Sequence, residues 1–373
     1  MLLSASITDL IQIVENIAPP GLALPDDRIG LQVGDRRAVL TGVVVALDPC
    51  AAVVDRALSI EANAVVTHHA LIRTPLGRVV PDDPAGRLVL RVLRSGLAWY
   101  VAHTNLDRAP RGVSAVLAEV LGLQNAEPLW LNEPCAQFKL VVFVPKGYED
   151  KVREAACSAG AGVIGGYTFC AFQTEGVGTF LPSGEARPFS GEVGKLSRAD
   201  ELRLEMLVSA PVVSRVIEAV KRAHPYEEVA YDLLVTAQDD RRFSSGRIGE
   251  LQTGLSLEEF AVNVKKALRL DSVRVVGDGQ KQVRRVATVA GGGAKFVSAA
   301  ADAGADVFVT GDVGHHHALD AMARGVCLID AGHAGTEQVI LEPLARTLRA
   351  ELTKLDPETN VEAVLRPTMF SHV

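Results

Sequence analysis

The chain has 373 residues, 48% of them hydrophobic, with a mean hydropathy of +0.19 and a formal net charge of −7. That length suits two domains with a sizeable core, and the acidic balance gives no general basic footprint, so nucleic acid is not an expected partner. No apolar run reaches the roughly 18–20 residues of a membrane helix, Asp9 and Glu15 stand where a leader would be apolar, and the five cysteines show no C-x-x-C spacing, so a cytoplasmic protein with no membrane partner is expected.

Ile7, Leu10, Ile11, Val14 and Ile17 predict a first helix. Strand and helix then alternate: strand 39–47, helix 49–60, strand 64–67, helix 85–95, strand 97–102, and a helix after Gly112. In the middle stretch the texture changes. FKLVVFVP predicts a strand, 149–160 a helix, and the Gly-rich run after Thr168 several short strands. ELRLEMLVS predicts a strand, 211–223 a helix, and VAYDLLV a last strand. Two β-α-β-like units with extra hairpin material predict an inserted ferredoxin-like α+β domain over 131–248, between core lobes at 1–130 and 249–373.

Alternation resumes with strand 285–290, the turn Gly291-Gly292-Gly293, helix 294–303 and strand 306–310. A helix after His315–His317, strand 326–330 and a long helix from about 335 complete it. AVVTHHAL answers VFVTGDVGHHHAL, and AWYVAHTNLD answers CLIDAGHAGTE. The expected fold class is therefore α/β, with two similar α/β lobes forming one core of mixed or parallel sheets, plus the insert.

Chemistry-bearing residues collect at the ends of these strands, where α/β proteins build their sites. His68 and His69 end the strand 64–67; side chains alternate along a strand, so both reach one site only if the chain turns there or if two metals lie side by side. His333 and Glu337, four apart, share one face of a helical turn, a spacing that also suits an ordinary helix start. Asp107 offers a carboxylate, or a cap for the segment before Gly112. Three imidazoles and two carboxylates without a thiolate suit Zn, Mn, Fe or Co. Five ligands exceed the three of a usual catalytic zinc, so two divalent ions per chain are expected, Zn first among the metals. His103, or one of His315, His316 and His317, is positioned to carry a proton, with His316 and His317 the choices in the triplet. His224-Pro225-Tyr226-Glu227-Glu228 is either a binding edge or a stiff loop. Gly291-Gly292-Gly293-Ala294-Lys295 matches no phosphate-binding fingerprint and reads first as a tight strand–helix turn.

DDRIGLQVG (26–34), VVTHHALI (65–72), AHTNLDRAPRGVSAVLAEVLGL (102–123), VFVTGDVGHHHALDA (307–321) and AGHAGTEQVILEPLA (331–345) resemble the GTP cyclohydrolase I type 2 homologue family, also called Ngg-interacting-factor-three-like. GGYTFCAFQTEGVGTFLP (165–182) and HPYEEVAYDLL (224–234) resemble the insert of its longer bacterial members. Arg28 stands where some members carry Asn, which bears on pocket polarity and not on ligation. The resemblance implies a dinuclear site between two α/β lobes, with His68, His69, Asp107, His333 and Glu337 on the ligand positions and Glu337 as the bridge. It also implies an insert shaped like the P-two signalling and copper-tolerance proteins, and a ring-like homohexamer. The expected function is a hydrolase in which metal-activated water attacks a small nucleotide-like substrate. The alternative is a ring-shaped, metal-containing regulatory protein whose insert senses a metabolite or partner.

Overall fold

The computed structural model describes residues 4–131, 133 and 135–365. Two compact units form: Met1–Glu133 with Arg242–Val373, and Pro134–Arg241. The first unit is a mixed α/β structure with two sheets.

One sheet has the order Gly30–Val33, Ala98–Val101, Ala64–Thr67, Gly42–Ala46, Asn360–Val364. Its first pair is antiparallel and the rest are parallel. Gly42–Ala46, Ala64–Thr67 and Ala98–Val101 are buried along their whole length, which is why they read as continuous apolar runs instead of alternating ones. The other sheet has the order Arg274–Val276, Cys327–Asp330, Val307–Thr310, Gln282–Val289, Gly246–Ser256, Gln124–Leu129. Only its three strands Gln282–Val289, Val307–Thr310 and Cys327–Asp330 pair in parallel.

The two halves start alike. The helix Ile7–Ile17 opens with a capping box between Ser6 and Asp9, and Leu257–Ala267 opens with one between Ser256 and Glu259. Each such cap satisfies backbone N–H groups that the first helical turn leaves open.

The halves also exchange edges. Gln124–Leu129 pairs with Gly246–Ser256 in the second sheet, and the helix Val113–Val120 packs Leu117 and Ala118 there against Leu257 and Phe260. In return Asn360–Val364 joins Gly42–Ala46 in the first sheet. The ion pair Arg56–Glu362 flanks that strand, yet both partners are substantially exposed, where solvent screens their attraction. Burying Val361 contributes about 1.5–3 kcal/mol, so burial and the strand ladder hold the strand. Gly246–Ser256 pairs along Gln282–Val289, outside the second unit.

The second unit runs β-α-β-β-α-β: Ala136–Pro145, helix Glu149–Ser158, Phe172–Phe180, Ser197–Ser209, helix Val213–Ala223, Tyr231–Asp239. Its strands are all antiparallel, in the order Phe172–Phe180, Ser197–Ser209, Ala136–Pro145, Tyr231–Asp239. Val152 and Ala156 from one helix and Val216 and Val220 from the other bury against Leu140, Val142, Leu204 and Met206. The short strands expected after Thr168 are one nine-residue strand, because Phe172–Phe180 pairs without a break along Ser197 to Glu205.

Among the described residues no helix is long and apolar enough to cross a membrane.

Candidate metal centre

The parallel strands of the first unit end at one cluster of imidazoles and carboxylates, at their C-terminal edges. Trp99, fully buried, donates its indole N–H to Thr67 Oγ1 at 2.8 Å, and Thr67 Oγ1 donates to the His69 carbonyl at 2.8 Å. That second bond turns the chain just past the strand end. The alternation expected of a strand therefore stops, and the rings of His68 and His69 lie 5.1 Å apart.

Four imidazoles share one arrangement. His68 Nδ1 donates to the Ala102 carbonyl at 3.0 Å and His69 Nδ1 to Asp48 Oδ1 at 2.7 Å. His103 Nδ1 donates to Asp27 Oδ1 at 2.8 Å and His333 Nδ1 to Asp312 Oδ2 at 2.7 Å. With Nδ1–H given outward, a neutral ring presents a bare lone pair at Nε2. Metal-binding histidines are oriented in this way. The inward nitrogens meet carboxylate oxygens: His68 Nε2 is 3.6 Å from Asp107 Oδ1, His69 Nε2 is 3.2 Å from Glu337 Oε2, and His333 Nε2 is 3.1 Å from Glu337 Oε1.

Lone pairs facing lone pairs in a buried site are repulsive, so a cation belongs between them. The buried atoms His68 Nε2, Asp107 Oδ1 and Glu337 Oε2 have no hydrogen-bond partner; the His69 contact at 3.2 Å lacks hydrogen-bond geometry. Ligand atoms of His68, His69 and His103 lie within 4.8 Å of one another, and so do those of His69, His333 and Glu337. A metal ion fits these donors. Gly291 leaves room for the carboxylate: its φ is +65°, and a Cβ there would lie 2.1 Å from Glu337 Oε1.

Protons compete for the same atoms. Burial opposes charge on His69, but its bond to Asp48 and the nearby Glu337 carboxylate outweigh that and push its pKa up to about 10. Glu337 and, against burial, Asp312 raise His333 to about 9. Burial, with the nearby Glu337 charge, lifts Asp107 to about 6 against the pull of His68. Burial opposes the charged form of Glu337 as well, yet its three histidine neighbours hold it well below the usual carboxylate range.

The match to the family model described as Duf34/NIF3 (NGG1p interacting factor 3) spans residues 5–367. The chain belongs to the NIF3 family. A Bacillus subtilis relative called GTP cyclohydrolase 1 type 2 homolog is 42% identical over 339 residues, 91% of each chain. A Halalkalibacterium halodurans relative of the same name is 38% identical over 95% of each. Among solved structures, a Bacillus cereus protein related to NIF3 superposes with a TM-score of 0.86 at 38% identity, covering all of both chains. A Staphylococcus aureus structure superposes at 0.73 with 30% identity over 99% of each.

The structure thus gathers His68, His69, His103, Asp107, His333 and Glu337 of this NIF3 chain. His316 and His317 stand outside both metal-capable groups, at the start of the helix His315–Arg324, where His317 Nδ1 accepts the Gly314 N–H at 3.4 Å. Sequence reasoning missed the outer carboxylates Asp27, Asp48 and Asp312. Asp48 just past a strand end and Asp312 beside the Thr310-Gly311 turn are signals of position that could have found two of them. Asp27 lies 76 residues from His103, and its only signal was its place in the DDRIGLQVG stretch.

Proposed function

We propose that this NIF3-family chain is a metal-dependent hydrolase whose centre holds two divalent ions, Zn first among the candidates, and acts on a small nucleotide-like substrate. The observation that carries the reading is the shared arrangement of the four imidazoles, each tied outward through Nδ1, around three buried atoms without partners. We assign His68, His69, Asp107, His333 and Glu337 as ligands, and add His103 to them. Two metal-capable groups overlap at His69, and Glu337 contacts His68, His69 and His333, which favours two ions with Glu337 as bridge. His103 ligates in this reading instead of carrying a proton freely, because Asp27 holds its Nδ1 and its ring lies 5.0 Å from that of His68.

Bound divalent ions of this kind lower the pKa of water and stabilise charge developing on an attacked group. The protein's share is orientation and access. His333 and His103 are the more open imidazoles, with side chains 39% and 32% exposed against 1% for His68, so substrate approaches from their side. The names of the curated relatives, GTP cyclohydrolase 1 type 2 homolog, support a purine nucleotide as that substrate. We further propose a ferredoxin-like class for the second unit, on its β-α-β-β-α-β order, and a homohexamer, on the family resemblance and the exposed Leu319 and Met322 on one helix face.

Elemental analysis of protein purified without added metal tests the centre, comparing wild type with Asp107→Ala/Glu337→Ala. Two metals per chain, lost in the double variant while size-exclusion behaviour persists, together with metal-dependent turnover in a nucleotide panel, is the expected result. Metal content that ignores both substitutions would sink the ligand assignment.

A further inference from the structure

The second unit holds a cavity of about 310 Å³ that the metal chemistry does not use. Pockets for small molecules start near this size, roughly 300 Å³, and combine apolar walls with a few placed polar groups. Here Phe143, Phe180, Phe189 and Tyr226 line it, with Leu181 and Pro182 at the end of the strand Phe172–Phe180. Its charged lining is Glu201, Glu227 and Glu228, and among the described residues no Lys or Arg lines it. Phe189 and Leu181 are 51% and 62% exposed, which is apolar surface that an occupant would cover.

The turn His224-Pro225-Tyr226-Glu227-Glu228 builds this cavity. His224 Nε2 donates to the Phe143 carbonyl at 3.0 Å, and its Nδ1 accepts the Tyr226 N–H at 3.1 Å. Those two bonds require a neutral ring, and burial lowers its pKa in the same sense. So fixed, Tyr226 donates its hydroxyl to Glu201 Oε1 at 3.0 Å. Burial and the Glu201 carboxylate push the Tyr226 pKa up to about 12, which keeps it a donor. Glu227 accepts the Arg187 N–H at 2.8 Å and ties down the loop that carries Phe189. Phe189 in turn meets Tyr148 edge-on at 5.6 Å and Tyr226 at 5.8 Å. Gly178 makes room for Glu201, since a Cβ there would lie 2.2 Å from its Oε2.

Aromatic faces beside carboxylates, with no cation in the lining, attract positive charge and repel phosphate. A second depression of about 260 Å³ continues from Phe143, Gly178 and Glu201; the Arg203 on its wall is paired with Glu205 at 3.0 Å. We propose that this cavity binds a small organic cation: an ammonium group held by Glu201 and the aromatic rings, on an apolar body that lies against Phe180, Leu181 and Phe189. The recognised chemistry is that of a protonated or quaternary amine, the opposite charge to a nucleotide.

Calorimetric titration of the full, metal-loaded protein tests this with phenyltrimethylammonium and phenethylammonium as probes, 2-phenylethanol as the neutral analogue and ATP as the anion. Saturable binding of both cations, with none of the alcohol or ATP, is expected. Glu201→Gln should weaken the cations about ten-fold or more, the scale of a lost charged hydrogen bond, with metal content unchanged. Phe189→Ser, at an exposed position, should weaken them without touching the core. Failure of either cation to bind, ATP displacing them, or full affinity in a folded Glu201→Gln or Phe189→Ser variant overturns the proposal. So does dissociation of the assembly by Phe189→Ser, which would make this face a contact between copies of the chain.

Discussion

After the strand Ala64–Thr67 the chain delivers two imidazoles, His68 and His69, whose side chains are 1% and 22% exposed. After its counterpart Val307–Thr310 it delivers Gly311 and Asp312, and the Asp312 side chain is 59% exposed. The corners are otherwise built alike. Each ends in a buried threonine whose hydroxyl is hydrogen-bonded, and in each half the next strand, Ala98–Val101 or Cys327–Asp330, leads into a five-residue helix with an imidazole at its start and a carboxylate four residues on, His103 with Asp107 and His333 with Glu337. One packing contact explains the asymmetry. A Cβ at Gly311 would lie 2.6 Å from the Gly332 carbonyl carbon and 2.7 Å from the His333 nitrogen, so no imidazole can stand where His68 stands in the first half. The second half therefore gives up one donor in exchange for bringing His333 close, and supplies the buried carboxylate, Glu337, that the first half's histidines meet. Similar corners can thus divide labour: one gathers imidazoles in a closed wall, and the other closes the site with one carboxylate and leaves an open side.

The largest expected effect is on that shared carboxylate. Glu337→Gln should lower metal affinity beyond the roughly 100-fold that outer hydrogen-bond partners reach, and it should do so for every ion in the site. Retention of half the metal would mean that the first corner holds its ion alone. The contact that separates the corners is next. Gly311→Ala should destabilise the protein by roughly 1–3 kcal/mol through overpacking against Gly332, read as a lowered denaturation midpoint. A neutral result would remove the steric account of the asymmetry. The outer carboxylates sharpen it further. Asp48→Asn should cost about 10–100-fold in metal affinity, and Asp312→Asn less, because the Asp48 side chain is 27% exposed and that of Asp312 59%. Equal losses in competition with a chelator would show that burial does not set the difference.

Much of this was legible in the sequence, for reasons that particular residues make plain. Buried parallel strands read as apolar runs, so VVVA, AVVT and CLID announced themselves, and imidazoles at their ends announced the site. The exchange of edges was not legible. Gln124–Leu129 is a mostly exposed edge strand with a proline inside, and its partner Gly246–Ser256 follows the whole second unit, so no local pattern links them. Gly30–Val33 is short and only half-buried, and its pairing with Ala98–Val101 rests on contacts far apart in the chain. The same distance hid Asp27 from His103, whereas the adjacency of His68 and His69 was visible but its geometry waited on a hydroxyl, Thr67, that turns the chain.

The smallest expected effect separates protons from metal at the two corners. In metal-free protein His69 and His333 are raised to about 10 and about 9, from about 6.5 in the unfolded chain. A base raised in the folded state contributes stability that is complete below its unfolded pKa and is lost as pH rises through the folded one. Stripped protein should therefore lose thermal stability between about pH 6.5 and about pH 10. The raised Asp107, near 6, has already lost its contribution below most of that window, and the lowered Glu337 acts only at acid pH, so neither masks the trend. Bound metal displaces the same protons, so loaded protein should show a flatter profile and its metal affinity should rise with pH. Melting curves with and without chelator across that range read the difference directly. A stripped protein whose midpoint is flat or rises over the window would mean that protons do not occupy the inward nitrogens, and the pairing of the two corners through a shared cation would have to be abandoned.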